Sequence, residues 1–163
     1  MSDPFGVLFV CAGNICRSPT ADAVLRHKVL DLGLERQIKV DSAGTHAYHI
    51  GDAPDPRSVA TAWKHGVNML DLRARKVSAA DFQDFDWLVA MDGGHHQILD
   101  RLAVPGGRGQ VVRVLDFLGD PEGDVPDPYY GSGDGFAQVY DMVDRGCNAL
   151  LERLKERGII PKS

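Results

Sequence analysis

Four short apolar runs punctuate this chain, and the stretches between them carry apolar residues at helical spacing. The first run, Val7-Leu8-Phe9-Val10 within residues 6–11, shows no polar alternation and reads as a parallel strand buried on both faces. Residues 38–43, Asp86-Trp87-Leu88-Val89-Ala90-Met91 and Val111-Val112-Arg113-Val114 are the other strand candidates. A helix is expected over 19–32, where Ala21, Val24, Leu25, Val29 and Leu32 share a face and Gly33 ends the pattern. Shorter helices are expected over 57–65, closed by Gly66, and over 95–103. The last helix, about 134–157, is amphipathic, with Phe136, Val139, Tyr140, Val143, Cys147, Leu150, Leu151 and Leu154 on one face. Strands alternating with helices predict an α/β fold: a four-stranded parallel sheet, right-handed crossovers and helices on both faces. No repeat, low-complexity tract or linker interrupts the pattern, so residues 1–163 are expected to form one domain. The longest irregular stretch, 119–133, is rich in Gly, Asp and Pro, and a loop that long in a compact domain is usually functional or mobile.

Composition narrows the partners. With 163 residues the chain can bury a core without staples. A net charge of −5 argues against nucleic acid as the main partner, so positive potential for any anion must be focused locally. There is no run of roughly 18 apolar residues to span a membrane. Met1-Ser2-Asp3-Pro4 has neither the basic nor the apolar region of a signal peptide. Three unevenly placed cysteines do not make a disulfide framework, and a reducing, cytoplasmic setting is expected.

Candidate chemistry starts where the first strand ends. Cys11-Ala12-Gly13-Asn14-Ile15-Cys16-Arg17-Ser18 runs from that strand into Ser18-Pro19-Thr20-Ala21-Asp22, which reads as a helix start with Ser18 at the N-cap and Pro19 first in the helix. Backbone N–H groups of Ala12 to Cys16, with the helix dipole, make an anion cradle. Arg17 can grip two oxygens of the anion with its planar fork. The same positive surroundings favour the thiolate of Cys11. A thiolate in a phosphate cradle is the apparatus for phosphoryl transfer through a cysteinyl-phosphate. Its place at the carboxyl end of a strand is where parallel sheets bind ligands.

Cleaving a phosphate monoester also needs a proton for the leaving oxygen. Asp127 in Asp127-Pro128-Tyr129-Tyr130 is the foremost candidate; Asp120 and Asp124 are alternatives without that context. Tyr129 and Tyr130 are expected to wall a pocket and pack on an aryl leaving group. Asp92 reads as a helix N-cap with room for a supporting role. His95-His96 project differently, and no Cys or Asp spacing around them supports a zinc site, so no metal or cofactor is expected. Cys147 reads as core. A Walker nucleotide site is excluded by the absence of its Gly-x4-Gly-Lys-[Ser/Thr] motif.

Cys-x-Gly-Asn-x-Cys-Arg-Ser-Pro near the start, Asp41-Ser42-Ala43-Gly44-Thr45, and the late Asp-Pro-Tyr-Tyr together resemble the low-molecular-weight protein tyrosine phosphatase family, on its bacterial side, over residues 6 to about 157. The resemblance implies Cys11 as nucleophile, Arg17 as phosphate ligand and Asp127 as general acid. It implies that the Ser18 hydroxyl bonds the Cys11 sulfur, and that Asn14 holds the loop's shape in a network including Ser42. It places Tyr48 in a loop bordering the cleft and makes Cys16 a partner that traps oxidised Cys11 in a disulfide. Phosphotyrosine proteins are the implied partners, a tyrosine kinase among them; phosphate-like oxyanions are the implied inhibitors, and a monomer is the default. One departure stands out: many members carry a histidine that braces the loop asparagine where this chain has Leu72, just before Arg73-Ala74-Arg75.

Rival readings use the same fold. An arsenate reductase needs resolving cysteines near 80–90, and none occurs between Cys16 and Cys147. In related protein-arginine phosphatases threonine stands where this chain has Ile15, which argues for phosphotyrosine. A non-catalytic phosphate-binding module would have lost the nucleophile, arginine or acid, and all three are present.

Overall fold

The computed structural model describes residues 3–120, 123–129 and 134–162. Its centre is a four-stranded, wholly parallel sheet in the order β2-β1-β3-β4, built from β1 (Phe5–Cys11), β2 (Ile38–Gly44), β3 (Trp87–Ala90) and β4 (Gln110–Arg113). Five helices accompany it: α1 (Arg17–Asp31), α2 (Pro56–Lys64), the single-turn α3 (Asp81–Asp84), α4 (Gly93–Leu102) and α5 (Asp134–Glu156). A 3-10 segment, Val114–Leu118, follows β4.

The period-two alternation of a strand divides the core between the two faces of the sheet. Val7, Phe9 and Cys11 of β1 join Trp87, Val89 and Met91 under α1 and α5. Leu8 and Val10 join Leu88 and Ala90 against Phe82, Phe85 and Leu99 on the other face. Both faces of β1 are therefore apolar, which is why its sequence is a continuous hydrophobic run. At about 25 cal/mol per Å² of apolar surface, each of these fully buried Val, Leu and Phe side chains stabilises the sheet by roughly 1.5–3 kcal/mol.

Three local readings change. Helix α1 begins at Arg17, with Cys16 rather than Ser18 at the N-cap. The Cys16 carbonyl already accepts from the Thr20 N–H at 3.2 Å and the Thr20 hydroxyl at 2.6 Å. Ser18 is thereby drawn into the first turn, and Pro19 still falls where no intrahelical N–H is needed. Helix α4 starts at Gly93 because the Asp92 carboxylate caps the His95 N–H at 3.0 Å. The short α3 and the 3-10 segment were not legible as periodicity, since neither is longer than five residues.

Parallel register brings Cys11 opposite Gly44 at the carboxyl edge of the sheet. A Cβ on Gly44 would sit 2.7 Å from the Ala12 carbonyl oxygen, so only glycine lets the two strand ends approach. The segment after residue 119 is tied back to the same edge: the Val125 N–H donates to the Met91 carbonyl at 2.8 Å, and Val125 is fully buried.

Candidate active site

Residues 11–17 curl between the end of β1 and the start of α1. Asn14, at φ 58, is the one non-glycine residue with positive φ among those described. Asparagine tolerates this left-handed geometry best, and here both ends of its side chain are used. Its amide donates to the Ser18 hydroxyl at 2.8 Å, and its oxygen accepts from the Arg75 N–H at 3.0 Å. The loop's carbonyls are committed outward: Cys11 to the Thr45 N–H, Ala12 to the His46 N–H and Ile15 to the Asp55 N–H, at 2.8–3.0 Å. The N–H groups of residues 13–17 have no hydrogen-bond partner among the described residues. A run of free N–H groups at a helix N-terminus is an anion nest.

Cys11 sits at the bottom of this nest, 3 % exposed. The Ser18 hydroxyl is 2.9 Å from its sulfur, and the Ser18 N–H is 3.5 Å away. Because Asn14 already donates to that hydroxyl, the hydroxyl's own hydrogen can point at sulfur at 2.9 Å, the Ala43 carbonyl being its other acceptor at 3.5 Å.

Arg17 is almost wholly buried, which demands partners. Its Nη1 donates to Asp92 Oδ2 and to the Val125 carbonyl, both at 2.9 Å. Nη2 lies 3.5 Å from His95 Nε2 and 3.7 Å from Asp127 Oδ2. Burial lowers the His95 pKa to about 4; Asp92 opposes this and Arg17 reinforces it. The imidazole is therefore neutral at ordinary pH, with Nε2 an acceptor for Arg17. Its Nδ1 is 3.2 Å from Asp92 Oδ1 but off hydrogen-bond geometry. Asp92 thus does two jobs, helix cap and arginine anchor. Its carboxyl is held below the usual range: burial pushes it up, and the His95 N–H, His95 and Arg17 together pull it down further.

The cavity above Cys11, ≈ 130 Å³, is lined by Cys11, Ala12, Gly13, Ile15, Cys16, Arg17, Tyr48, His49, Asp127 and Tyr129. Asp127 is about half exposed and accepts from the Tyr129 N–H at 3.0 Å. Asp124, by contrast, accepts from the Gly93 N–H at 2.9 Å and faces Arg113, and Asp120 does not line the cavity. Tyr48 is 74 % exposed and stacks on His46 with centroids 5.1 Å apart. The Arg57 guanidinium lies over the rings of Tyr129 and Phe136, at 5.4 and 4.5 Å. Tyr130 lies outside the described residues. Ser42 is buried, with its side chain against Asp22, whereas the Asn14 side chain bonds to Ser18 and Arg75. The Cys16 thiol rests beside Asp55 and Ser58, and burial with the Asp55 charge pushes its pKa up to about 12. Cys147 is fully buried in the core, where burial drives its thiol up further.

The sequence reading did not find Arg75 or His95. The Arg75 guanidinium bridges Asp41 and Asp81 at 3.1 and 2.9 Å, fixing the segment whose N–H holds Asn14. The only sequence signal for this would have been Arg75 with one aspartate six residues on and another 34 residues before it. Among the described residues, no group of three or more His, Cys, Asp or Glu is placed to hold a metal ion, and no helix is long and apolar enough to cross a membrane.

A buried cysteine sulfur under an anion nest, with a buried arginine and a cavity carboxylate on a parallel α/β sheet, is the arrangement of a cysteine-dependent phosphatase. Comparison with known proteins narrows the class. The sequence profile of the low molecular weight phosphotyrosine protein phosphatase family matches residues 6–159. A low molecular weight protein-tyrosine-phosphatase of Streptomyces coelicolor is 43 % identical over 158 residues, 94 % of this chain and 95 % of that one. The crystal structure of YfkJ from Bacillus subtilis superposes with a TM-score of 0.88 at 38 % identity, covering 96 % and 98 % of the two chains. That of DARP, the drosophila arginine phosphatase, superposes with 0.85 at 33 %, covering 91 % and 97 %. The chain belongs to the low molecular weight phosphotyrosine protein phosphatase family, and so to the phosphoric monoester hydrolases.

Proposed function

We propose that this chain hydrolyses phosphotyrosine in proteins through a phosphate ester of Cys11. The single observation carrying the assignment of roles is that Cys11, Arg17 and Asp127 line one cavity. The Cys11 thiolate attacks phosphorus in line with the leaving phenol oxygen. The N–H groups of residues 13–17 and the Arg17 fork hold the three equatorial oxygens, where charge spreads in the transition state. Asp127 gives its proton to the departing phenolate, and the phosphate stays on sulfur. Asp127 then takes a proton from the water that attacks the phosphocysteine, and the Ser18 hydroxyl stabilises the departing thiolate. No step uses a cofactor.

Ile15, Tyr48 and Tyr129 give the mouth of the cavity an apolar and aromatic rim, which suits an aryl group. Ile15 offers no hydrogen bond to a guanidinium, and no cysteine between Cys16 and Cys147 is available for an arsenate relay. A phosphotyrosine protein such as a tyrosine kinase fits as substrate, phosphate and its analogues as inhibitors, and a monomer as the working form. Three free, buried thiols suit a cytoplasmic location.

The test is a panel of phosphotyrosine, phosphoserine, phosphoarginine and arsenate with the purified wild type and Cys11→Ser. The expected result is turnover of phosphotyrosine alone, lost in Cys11→Ser, with phosphate trapped on Cys11 by acid quench. Faster turnover of phosphoarginine, or Cys11→Ser within tenfold of wild type, would overturn the reading.

A further inference from the structure

A further concavity, ≈ 490 Å³, opens on α2. Ala53, Pro54, Pro56, Trp63, Met69 and Leu70 are among the residues that wall it. No charged side chain lines it, in a chain that is 25 % charged. Its one polar member, Asn68, uses its side-chain oxygen on the Leu70 N–H at 2.8 Å. Two large apolar side chains stand out of it: Trp63 is 66 % and Leu70 59 % exposed. An exposed apolar groove of this kind in a soluble protein marks an interaction site.

The groove and the catalytic cavity share one piece of chain. Tyr48 and His49 line the cavity, Ala53 and Pro54 line the groove, and Ile50, 60 % exposed, stands between them. Ala53 follows His49 by four positions, at most about 14 Å of extended chain. The link is also stiff. The Asp55 N–H donates to the Ile15 carbonyl of the phosphate loop at 2.8 Å, and the Asp55 carboxylate caps α2 at the Arg57 N–H. Prolines on both sides of Asp55 fix φ before any partner arrives, so seating a partner costs little ordering.

We infer that this groove docks apolar side chains of the phosphoprotein substrate, lying within about six residues of the phosphotyrosine and on one side of it. The inference rests on the phosphotyrosine reading above. A polypeptide whose phosphotyrosine is in the catalytic cavity must leave across the surrounding surface. The chain that walls the groove is tied to the wall of that mouth at the Asp55–Ile15 hydrogen bond, and the groove has no charge to desolvate. Small aryl phosphates reach the cavity but not the groove.

The experiment compares p-nitrophenyl phosphate with phosphotyrosine peptides carrying Leu or Phe, against Ser, at each position from one to six residues before and after the phosphotyrosine. Wild type, Trp63→Ala and Leu70→Asp are assayed, with sedimentation of each. The expected result is that apolar residues on one side raise kcat/KM of wild type by roughly five- to tenfold. Both variants should lose this gain while keeping wild-type turnover of p-nitrophenyl phosphate. Equal kcat/KM for apolar and Ser peptides in wild type, or a gain that survives in both variants, would overturn the proposal. So would a wild-type dimer that Trp63→Ala dissociates, since the occupant would then be a second copy of the chain. Failure of wild type on p-nitrophenyl phosphate would instead sink the phosphatase reading itself.

Discussion

The main-chain N–H of Arg75 holds the side-chain oxygen of Asn14 at 3.0 Å, across 61 residues of sequence. Asn14 is the residue that turns the phosphate loop, and its other end positions the Ser18 hydroxyl that faces the Cys11 sulfur. Leu72, at the position where the family resemblance implies a bracing histidine, packs against the core. The bracing falls to Arg75, whose guanidinium is tied to β2 through Asp41 and to α3 through Asp81.

Arg75→Met is accordingly expected to act at a distance. Asp81 would be left buried without its cation, costing about 1 kcal/mol once solvent at the half-open Arg75 site is allowed for. The Asn14 anchor would loosen, and kcat should fall roughly tenfold, with weaker inhibition by phosphate. Steady-state kinetics and thermal melts on one preparation separate the effects. A lowered melting temperature with unchanged kcat would make the Arg75 bridge purely structural.

Asp127→Asn removes the proposed proton donor while keeping shape. For phosphotyrosine, whose phenol is a poor leaving group, kcat should drop by about two to four orders of magnitude. For p-nitrophenyl phosphate, which departs without help, the loss should be much smaller. Asp124→Asn serves as the contrast, because Asp124 caps Gly93 and faces Arg113 away from the cavity. If Asp124→Asn reproduced the leaving-group pattern and Asp127→Asn did not, the roles would be reversed.

The order of strands and helices, the loop after β1 and the late Asp127 that lines the cavity were legible because each is local. Val7 to Val10 is apolar on every residue, and the loop's chemistry is packed into eight consecutive positions. What stayed hidden was whatever depends on contacts between distant segments. Asp92 reads as a cap, and only the sheet brings it to Arg17, 75 residues earlier. Ser18 reads as an N-cap by type, but the left-handed Asn14 advances the helix and turns Ser18 toward sulfur. His95 reads only as one of two histidines that project differently, and the sheet buries it against Arg17.

Two buried groups give opposing pH dependence. Asp22, fully buried, has one oxygen on Arg26 at 2.8 Å and the other without a hydrogen bond; burial raises its pKa to about 6. Between the unfolded value near 4 and about 6 the folded state holds the extra proton, so stability falls as pH rises. His95 is lowered from 6.5 to about 4, so in its window the unfolded state holds the extra proton and stability rises with pH. The two slopes, each at most about 1.4 kcal/mol per pH unit, largely offset in wild type between pH 4 and 6. Asp22→Asn should expose the His95 slope, with stability rising from pH 4 to 6.5, and His95→Asn should expose the reverse. Urea titrations at half-unit steps check this. Parallel profiles for the two variants would rule it out.

Oxidation at Cys11 should be trapped by Cys16 at a rate set by the Cys16 proton. Peroxide converts the Cys11 thiolate to a sulfenic acid, and a thiolate at Cys16 displaces hydroxide from that sulfur to form the disulfide. The Cys16 thiol, pushed to about 12 by burial and by Asp55, is almost entirely protonated near neutrality. Disulfide formation should therefore quicken about tenfold per pH unit from pH 6.5 to 8.5, because the thiolate fraction does. Asp55→Asn removes the second cause of that elevation and should speed trapping at fixed pH. Cys16→Ser should oxidise at Cys11 as fast as wild type but pass on to sulfinic acid, which thiols do not reverse. Mass spectrometry of peptides after a peroxide pulse, quenched by alkylation, reads all three species. A disulfide whose formation rate ignores pH, or equal recovery of activity by wild type and Cys16→Ser, would leave Cys16 as a packed thiol beside Ser58 with no part in protecting the nucleophile.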